Sequence, residues 1–440
     1  MAEPQPRPYR ALRHRDFRLL GSATLISIVG TQMQNVGIDW HIYVLTRSPL
    51  ALGSLGLVRV FPIIVFSMWG GIVADRHDRK RVQFCTQSFM AAVAVLLGLA
   101  TYFGRDSVWL VYLLTALTAA ATAFDAPARQ ALVPRLVPAE DLAGALSINV
   151  TLFHIAMILG PSLAGIIIAA SGGRGAHSTR ALAPIYFANA GSFLAVLVAL
   201  LLLRASGKPE DSARMRESWV ASLRAGLNFL FSARIIVWTM ALDFFATLFA
   251  GAISMLPIVA DQVLHVGAEG YGWLRAATGA GALLASIVTA VHPLPRRQGP
   301  ILLSAVAFYG ATTLVYGLSR NFYLTLAALA AAGAADLFST VIRATLRQVL
   351  TPDELRGRIT AFNMIFFIGG PQLGEMEAGF VASLFPPAAL GAMVSIASGG
   401  AATVLLAGLV ALFAPLVRQY TLTVGEAARQ PAPVSNAPPD

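Results

Sequence analysis

The chain has 440 residues, of which 56% are hydrophobic and 12% are charged, about half the charged share of a soluble domain. A soluble protein of this length needs more polar surface to cover its core. The composition therefore excludes a soluble globular fold and indicates a polytopic membrane protein. The formal net charge of +10 could suggest a nucleic-acid partner, but the positions of the cations indicate membrane topology instead.

Twelve mainly apolar runs are each long enough to cross a hydrocarbon core of about 30 Å. Backbone polar groups in lipid must be satisfied internally, so these runs are predicted to be helices. They are too continuous for the alternating strands of a transmembrane barrel. The predicted fold class is an all-α polytopic membrane protein. The predicted spans are 19–44, 51–74, 82–103, 108–126, 144–170, 183–203, 235–260, 270–293, 300–319, 322–343, 358–383 and 389–416.

The lysines and arginines are distributed asymmetrically between the two sides of these spans. With a cytoplasmic N-terminus, 25 of the 32 lie in inner segments, including four between 76 and 81. The outer loops hold only Arg47, Arg105, Arg174, Arg180 and Arg320. Both termini are therefore predicted to be cytoplasmic.

The predicted organisation is two six-helix bundles joined by a polar linker. Apolar residues of the linker, such as Trp219 and Phe231, recur at helical spacing and predict an amphipathic helix along the inner membrane face. A solvated linker is the alternative. The predicted segments are a cytoplasmic N-terminal tail (1–18), the first bundle (19–203), the linker (204–234), the second bundle (235–416) and a disordered C-terminal tail (417–440).

An internal repeat supports two related halves. Residues 55–59, Leu-Gly-Leu-Val-Arg, align with residues 271–275, Tyr-Gly-Trp-Leu-Arg. Further matches follow in the same order: Arg129, Pro138, Glu140 and Asn149 with Arg343, Pro352, Glu354 and Asn363, and then Gly160-Pro161 with Gly370-Pro371. Duplicated halves with a site at their interface are a known transporter architecture.

A charged loop at 70–81 joins the second and third spans, with sequence GGIVADRHDRKR. An acid and several cations held this close predict a reversible latch between moving parts. Asp75 is expected to pair with Arg343 or Arg347 at the end of the tenth span, or to cap the eleventh helix. The alternative is that the cations of the loop only set topology.

This loop resembles the signature of the major facilitator superfamily, G-x-L-A-D-R-x-G-R-K. The matching residues are Gly71, Ala74, Asp75, Arg76, Arg79 and Lys80. Val73 and Asp78 depart from the pattern, and Asp78 replaces a turn glycine. A second family signature, G-P-x-x-G-G, is similar to residues 160–165, and in the family it is associated with exporters.

Together with residues 123–130, AFDAPARQ, and residues 373–375, LGE, these motifs make the chain look most like bacterial exporters of the enterobactin-exporter type. The resemblance implies the major facilitator fold, a place in the bacterial inner membrane and a small amphipathic substrate of the drug or siderophore class. We also expect protons as the coupling ion and a monomer in the lipid bilayer, with no cofactor, metal or nucleic acid. From the residues themselves, Gly160, Pro161 and Gly165 predict a kinked fifth helix that packs closely.

Ionisable residues inside the spans are the best candidates for the site, because each is costly unless it is paired or in a wet cavity. Gln32 and Asn35 precede Asp39 on one face of the first span, and Arg59 lies at similar depth across the hairpin. Asp39–Arg59 is therefore the preferred ion pair. The alternatives are a solvated Asp39 near the outer boundary and purely structural roles for Arg59 and Arg275.

Four further acids lie in the second bundle. Asp243 is the favoured proton carrier because it has no partner in its own hairpin, and Asp336 lies well inside the tenth span. Glu375 and Glu377 are two residues apart and point about 200° from each other. Glu375 is favoured as the residue that faces the cavity.

Two functions follow from these observations. The first is a secondary transporter that exports small organic molecules by alternating access with proton antiport; the second is a non-transporting sensor or scaffold on the same fold. Buried charges, the repeat and the Gly-Pro kink favour the transporter. An enzyme or an ATP-driven pump is not predicted, since no phosphate-binding or hydrolase motif occurs in the chain.

Overall fold

A computed structural model of the chain describes residues 8–172, 179–207, 228–292, 295–352 and 355–421. Most of the predicted linker helix and of the C-terminal tail, and the start of the N-terminal tail, lie outside the described residues.

Twelve long α-helices and no strands form within the described ranges, which confirms the predicted all-α polytopic fold. By length and hydropathy alone, nine helical segments of this part of the chain could cross a membrane. The helices are α1 (Arg15–Thr46), α2 (Pro49–Arg76), α3 (Arg79–Tyr102), α4 (Val108–Leu132), α5 (Leu142–Gly172), α6 (Ala183–Leu202), α7 (Arg234–Ala250), α8 (Gly267–Val291), α9 (Gln298–Leu318), α10 (Phe322–Leu350), α11 (Arg356–Ser383) and α12 (Ala388–Phe413).

Several helices are preceded by a residue whose side chain accepts a hydrogen bond from a backbone N–H in the first turn. Ser48, Ser107 and Asn321 cap α2, α4 and α10 in this way. Asp78 caps α3 by accepting a bond of 2.9 Å from the backbone N–H of Lys80. This cap accounts for the acid where the family signature has glycine, because a carboxylate also suits the positive end of the helix dipole.

The seventh span is not the single continuous helix that the sequence predicts. Helix α7 ends at Ala250, a 3-10 turn follows at Ala252–Met255, and the chain continues through Leu256–Ile258 into a π-helical turn at Val259–Val263. Pro257 has no backbone N–H to donate to the preceding turn, which favours an interruption here. A hydropathy pattern cannot indicate this interruption of the helix, because the residues on both sides of it are apolar.

Helices α1–α6 pack mainly on one another, as do α7–α12, and the two halves meet chiefly through α2 against α11 and α5 against α8. Because the helices alternate in direction, α1 begins and α12 ends at the same end of the bundle. We call this the terminal end, and the opposite end the far end.

The far end is closed by close backbone contacts between the halves. A Cβ atom at Gly53 of α2 would lie 2.8 Å from the Cα of Gly379 of α11. A Cβ atom at Gly272 of α8 would likewise lie 2.8 Å from the Cα of Gly165 of α5. Such approach is possible only where both helices carry small residues. The predicted close packing at Gly165 is therefore present, and its partner is in the other half.

The terminal end is open between the same helix pairs. Gly71 lies 18 residues after Gly53, five full helical turns along the same face of α2. A Cβ atom at Gly71 would meet no atom within 4 Å. On α5, Ser147 lies the same five turns from Gly165 and is exposed. The halves thus touch at the far end and leave a cleft between them towards the terminal end.

We expect Gly165→Leu to destabilise the closed far end. The larger side chain would meet the α8 backbone, and overpacking of this kind costs about 1–3 kcal/mol. The thermal unfolding midpoint of the purified protein should fall by several degrees on this scale. Gly191→Leu in α6 is the matched control, because a side chain there would meet nothing within 4 Å. Equal midpoints for the two variants would contradict the tight contact.

Candidate functional site

The predicted ion pair between Asp39 and Arg59 is present near the far end. Arg59 Nη2 of α2 lies 2.7 Å from Asp39 Oδ1 of α1, and the two side chains are only 12% and 3% exposed. Both charges have thus been removed from water. A buried pair of this kind is strongly destabilised if either partner is removed.

A tyrosine from the second half completes the shell of Asp39. The Tyr271 hydroxyl of α8 donates to Asp39 Oδ2 across the interface at 3.0 Å, and the Tyr271 ring stacks on Trp40 at 5.7 Å. Sequence reasoning missed this residue. The available signal was the repeat itself, in which Tyr271 stands opposite Leu55 and adds a hydroxyl to an apolar position.

Glu375 brings a second carboxylate to the same guanidinium. Its Oε2 lies 3.5 Å from Arg59 Nη1, and both side chains are buried. Glu377 is half-buried and forms no ion pair within the described residues. The two side chains thus lie in different surroundings, as their separation of about 200° on the helix requires, and that Glu375 faces the substrate cavity stays a prediction. We call Asp39, Arg59, Tyr271 and Glu375 the bridging cluster.

The polar face of α1 is divided between two partners. Asn35 donates to the Gln32 side-chain oxygen at 2.9 Å, and the Gln32 amide contacts the Met157 sulfur of α5. A Cβ atom at Gly160 would lie 2.5 Å from Gln32 Cβ. Gln32 and Asn35 therefore belong to the packing of α1 on α5, whereas Asp39 alone reaches the second half.

A second polar layer joins the halves at the rim of the far end. Arg47, which follows α1, lies 2.7 Å from Asp261 in the π-helical turn. Tyr43 also donates to Asp261, and Gln262 donates to the Tyr43 hydroxyl at 3.1 Å. The sequence patterns did not predict this layer, because Asp261 lies just beyond the predicted seventh span, 235–260.

His41 anchors the same region of α1 within the first half. Its ring lies 2.8 Å from Asp106, in the loop between α3 and α4, and 2.9 Å from the Tyr186 hydroxyl of α6. Burial acts to raise the pKa of Asp106, but hydrogen bonds from His41 and Thr179 outweigh it, so the pKa lies below its usual value. The carboxylate is therefore ionised at neutral pH and holds α1 in place.

Asp243 has a strong partner on a helix outside its own hairpin. Arg343 Nη2 of α10 lies 2.7 Å from Asp243 Oδ1, and Arg343 also donates to Ser339 at 2.6 Å and Thr340 at 3.0 Å. The partner lies outside the hairpin of Asp243, so local sequence spacing did not indicate it.

Asp336 lies beside this pair. Together with Tyr309, Thr247 and Arg343, the two acids line a cavity of about 10 Å³, close to the minimum for one water molecule. Arg347, one turn beyond Arg343, is half-buried and adds a second positive charge near Asp243.

Asp75 does not pair with Arg343 or Arg347 in this conformation. It is exposed, it forms no ion pair among the described residues, and no side chain caps the start of α11. The physical reason is the open terminal end, which separates α2 from the second half. Arg76 is likewise exposed.

Two other cations of the 70–81 loop, Arg79 and Lys80, bind the first half. Arg79 donates to the Ala131 carbonyl at 3.3 Å, and Lys80 donates to the Leu203 carbonyl at 2.8 Å. These bonds tie the loop to the ends of α4 and α6. The loop therefore moves with the first half as a unit.

Comparison with known proteins agrees with this architecture. Residues 7–436 match the family model described as transmembrane secretion effector. The enterobactin exporter EntS of Citrobacter koseri is 25% identical over 426 residues, covering 97% of this chain and 96% of that protein. EntS of Escherichia coli O1:K1 is 26% identical over 377 residues, covering 86% and 87%.

Solved structures share the fold at low sequence identity. A bacterial homologue of the human lysosomal transporter Spinster, in an inward-facing and unoccupied conformation, superposes with a TM-score of 0.69 at 16% identity, covering 95% of this chain and 99% of that chain. A bacterial homologue of the iron transporter ferroportin, also inward-facing, gives a TM-score of 0.63 at 17% identity, covering 89% and 98%.

We expect Tyr271→Phe to shift the protein towards states with an open far end. The variant loses a hydrogen bond to a buried carboxylate, worth about 1.5–3 kcal/mol. Distances between spin labels at positions 50 and 385, in a Cys85→Ser background, should gain a longer component by pulsed electron resonance. Tyr323→Phe is the control, because the Tyr323 side chain is exposed. An unchanged distance distribution in Tyr271→Phe would show that the bridge does not hold the far end.

Proposed function

The chain belongs to the transmembrane secretion effector family of the major facilitator superfamily, and we propose that it exports small amphipathic organic molecules by alternating access. Members of this superfamily are multi-pass membrane transporters and not enzymes. The substrate class we propose is that of drugs or siderophores, in line with the relatives named as enterobactin exporters.

One observation carries the proposal: the halves share buried charges at the far end and are apart at the terminal end. The pair Arg59–Glu375 joins the halves only while the far end is closed. Opening the far end must separate these charges, which costs free energy. New contacts formed as the terminal end closes behind the substrate would compensate this cost. This arrangement supports the proposal of access from one side at a time.

We place the terminal end in the cytoplasm of a bacterial cell. Most of the cations lie in segments at this end, as the positive-inside rule requires. In this orientation the described conformation is open to the cytoplasm, so a substrate would enter from inside and leave through the far end. We propose that the chain acts as a monomer, because each chain contains both halves of the cleft.

We propose that protons drive the export and that Asp243 carries them. Asp243, Asp336 and Arg343 lie around a small cavity within the second half, separate from the bridging cluster. Two carboxylates beside one tightly bound guanidinium provide a group that can gain and lose a proton without breaking the contact between the halves.

The 70–81 loop has its role in the opposite conformation. Gly71 and Asp75 both lie at the terminal end of α2, and Gly71 shares the face of Gly53 that packs on α11. When the terminal end closes, this face would approach the start of α11. We propose that Asp75 then interacts with the second half and stabilises the closed terminal end.

The first test is export from proteoliposomes with an imposed pH gradient, over a panel of drugs and siderophores. We expect the wild type to export at least one compound only with the gradient, and Asp243→Asn to abolish this flux while leaving binding intact. Glu377→Gln is the matched control, as a half-buried acid on α11. Gradient-independent flux in the wild type would contradict antiport, and unchanged flux in Asp243→Asn would exclude this acid as the carrier.

The second test concerns the loop. We expect Asp75→Asn to slow turnover several-fold, because the closed terminal end loses an ionic contact, one of about 0.2–1 kcal/mol when exposed and more when partly buried. Expression and topology should not change. Glu140→Gln, which alters an exposed acid in the loop between α4 and α5, serves as control. Wild-type turnover in Asp75→Asn would leave the loop as a topology signal only.

A further inference from the structure

We propose that Arg275 binds an anionic group of the transported molecule, so that the preferred substrates are amphipathic anions. The inference rests on the proposed transport function and narrows its substrate class. Arginine suits such a role because its planar guanidinium offers several donors to a carboxylate, sulfonate or similar group.

The repeat shows that Arg275 is the counterpart of Arg59 but has lost the counterpart of its acid. The two arginines end the matched segments 55–59 and 271–275. When Gly370-Pro371 is aligned with Gly160-Pro161, Glu375 falls opposite Gly165. Arg59 therefore meets a carboxylate from the other half, whereas the corresponding position facing α8 is a glycine.

Arg275 lies at the closed end of the cleft. It shares a face of α8 with Tyr271 and is four residues, about 6 Å, closer to the terminal end. Tyr271 points across the interface to Asp39, so this face of α8 is directed at the boundary between the halves. Arg275 is also near enough to Glu375 and Tyr316 for electrostatic interaction.

The guanidinium of Arg275 has free donors. It forms no ion pair and no hydrogen bond with any part of the chain that the structure describes, and its side chain is half-buried. Arg59 Nε is a fully buried atom without a partner, but none of the Arg275 nitrogens is buried in this way. They are therefore at least partly accessible to solvent.

A purely structural role explains less of this arrangement. The positive charges of Arg59 and Arg275 together compensate the negative charges of Asp39 and Glu375. Such compensation over a distance does not require the Arg275 guanidinium to point in any particular direction. It leaves accessible donors of Arg275 that no described residue engages. An anionic ligand would satisfy them. An inside-negative membrane potential would then favour the outward movement of the bound anion.

The test compares two probes of nearly equal size, 1-naphthalenesulfonate and the neutral 1-naphthalenesulfonamide. Binding to the full-length protein in nanodiscs of phosphatidylcholine is measured by titration calorimetry. We expect the wild type to bind the sulfonate at least 10-fold more tightly than the sulfonamide. Arg275→Gln should bring the ratio of the two Kd values to about 1 and leave the sulfonamide affinity unchanged. Arg275→Lys should retain part of the preference.

Arg320→Gln is the charge-matched control, because Arg320 is exposed in the loop between α9 and α10. It should keep the wild-type ratio. Equal affinities in the wild type, or an unchanged ratio in Arg275→Gln, would overturn the assignment. Failure here would leave the transport proposal intact if proteoliposomes still export neutral or cationic compounds, whereas the absence of all gradient-driven export would refute the transport proposal itself.

Discussion

A charged side chain buried in a membrane-spanning bundle needs an opposite charge beside it, and Arg59 has two such partners. Asp39 satisfies it from the neighbouring helix, and Glu375 satisfies it from the other half of the molecule. Removing Arg59 would leave two buried carboxylates without their shared cation in a medium of low dielectric constant. The far end is therefore held closed by the electrostatic attraction of Arg59, which is paired with Asp39 in its own half, for Glu375 of the other half.

The glycine contacts complement this interaction in a different way. The approach of Gly53 to Gly379 and of Gly165 to Gly272 brings helix backbones together without interlocking side chains. Surfaces of this kind adhere through dispersion and separate without the withdrawal of a side chain from a hole. Stability at the far end and the ability to open there are compatible for this reason.

The sequence was sufficient for features that depend on local pattern. Run length predicted the helices, and equal depth on a hairpin predicted Asp39–Arg59. The helical angle predicted that Glu375 and Glu377 cannot share one environment, and only Glu375 is buried beside Arg59. Partners that come from distant helices were not predictable in this way, and Arg343 with Asp243 is the clearest case. Pairing between remote spans depends on the packing of the whole bundle, which no local spacing encodes.

The unpaired state of Asp75 has another origin. Sequence patterns reflect the contacts of all conformations that a chain adopts, whereas one structure shows the contacts of a single conformation. We propose that the contact expected for Asp75 forms when the terminal end closes, and this end is open here. Asp78 shows the opposite case, because its helix cap depends only on neighbouring residues and is independent of how the halves are arranged.

The interruption of the seventh span has a mechanical consequence. Asp261 at the rim and Asp243 in the second-half cavity belong to one transmembrane passage, but the break between Ala250 and Leu256 separates them. A continuous helix would act as a stiff rod and would transmit any tilt of its far end to Asp243. In the interrupted helix, the segment that carries Asp261 can change its angle while Asp243 stays beside Arg343.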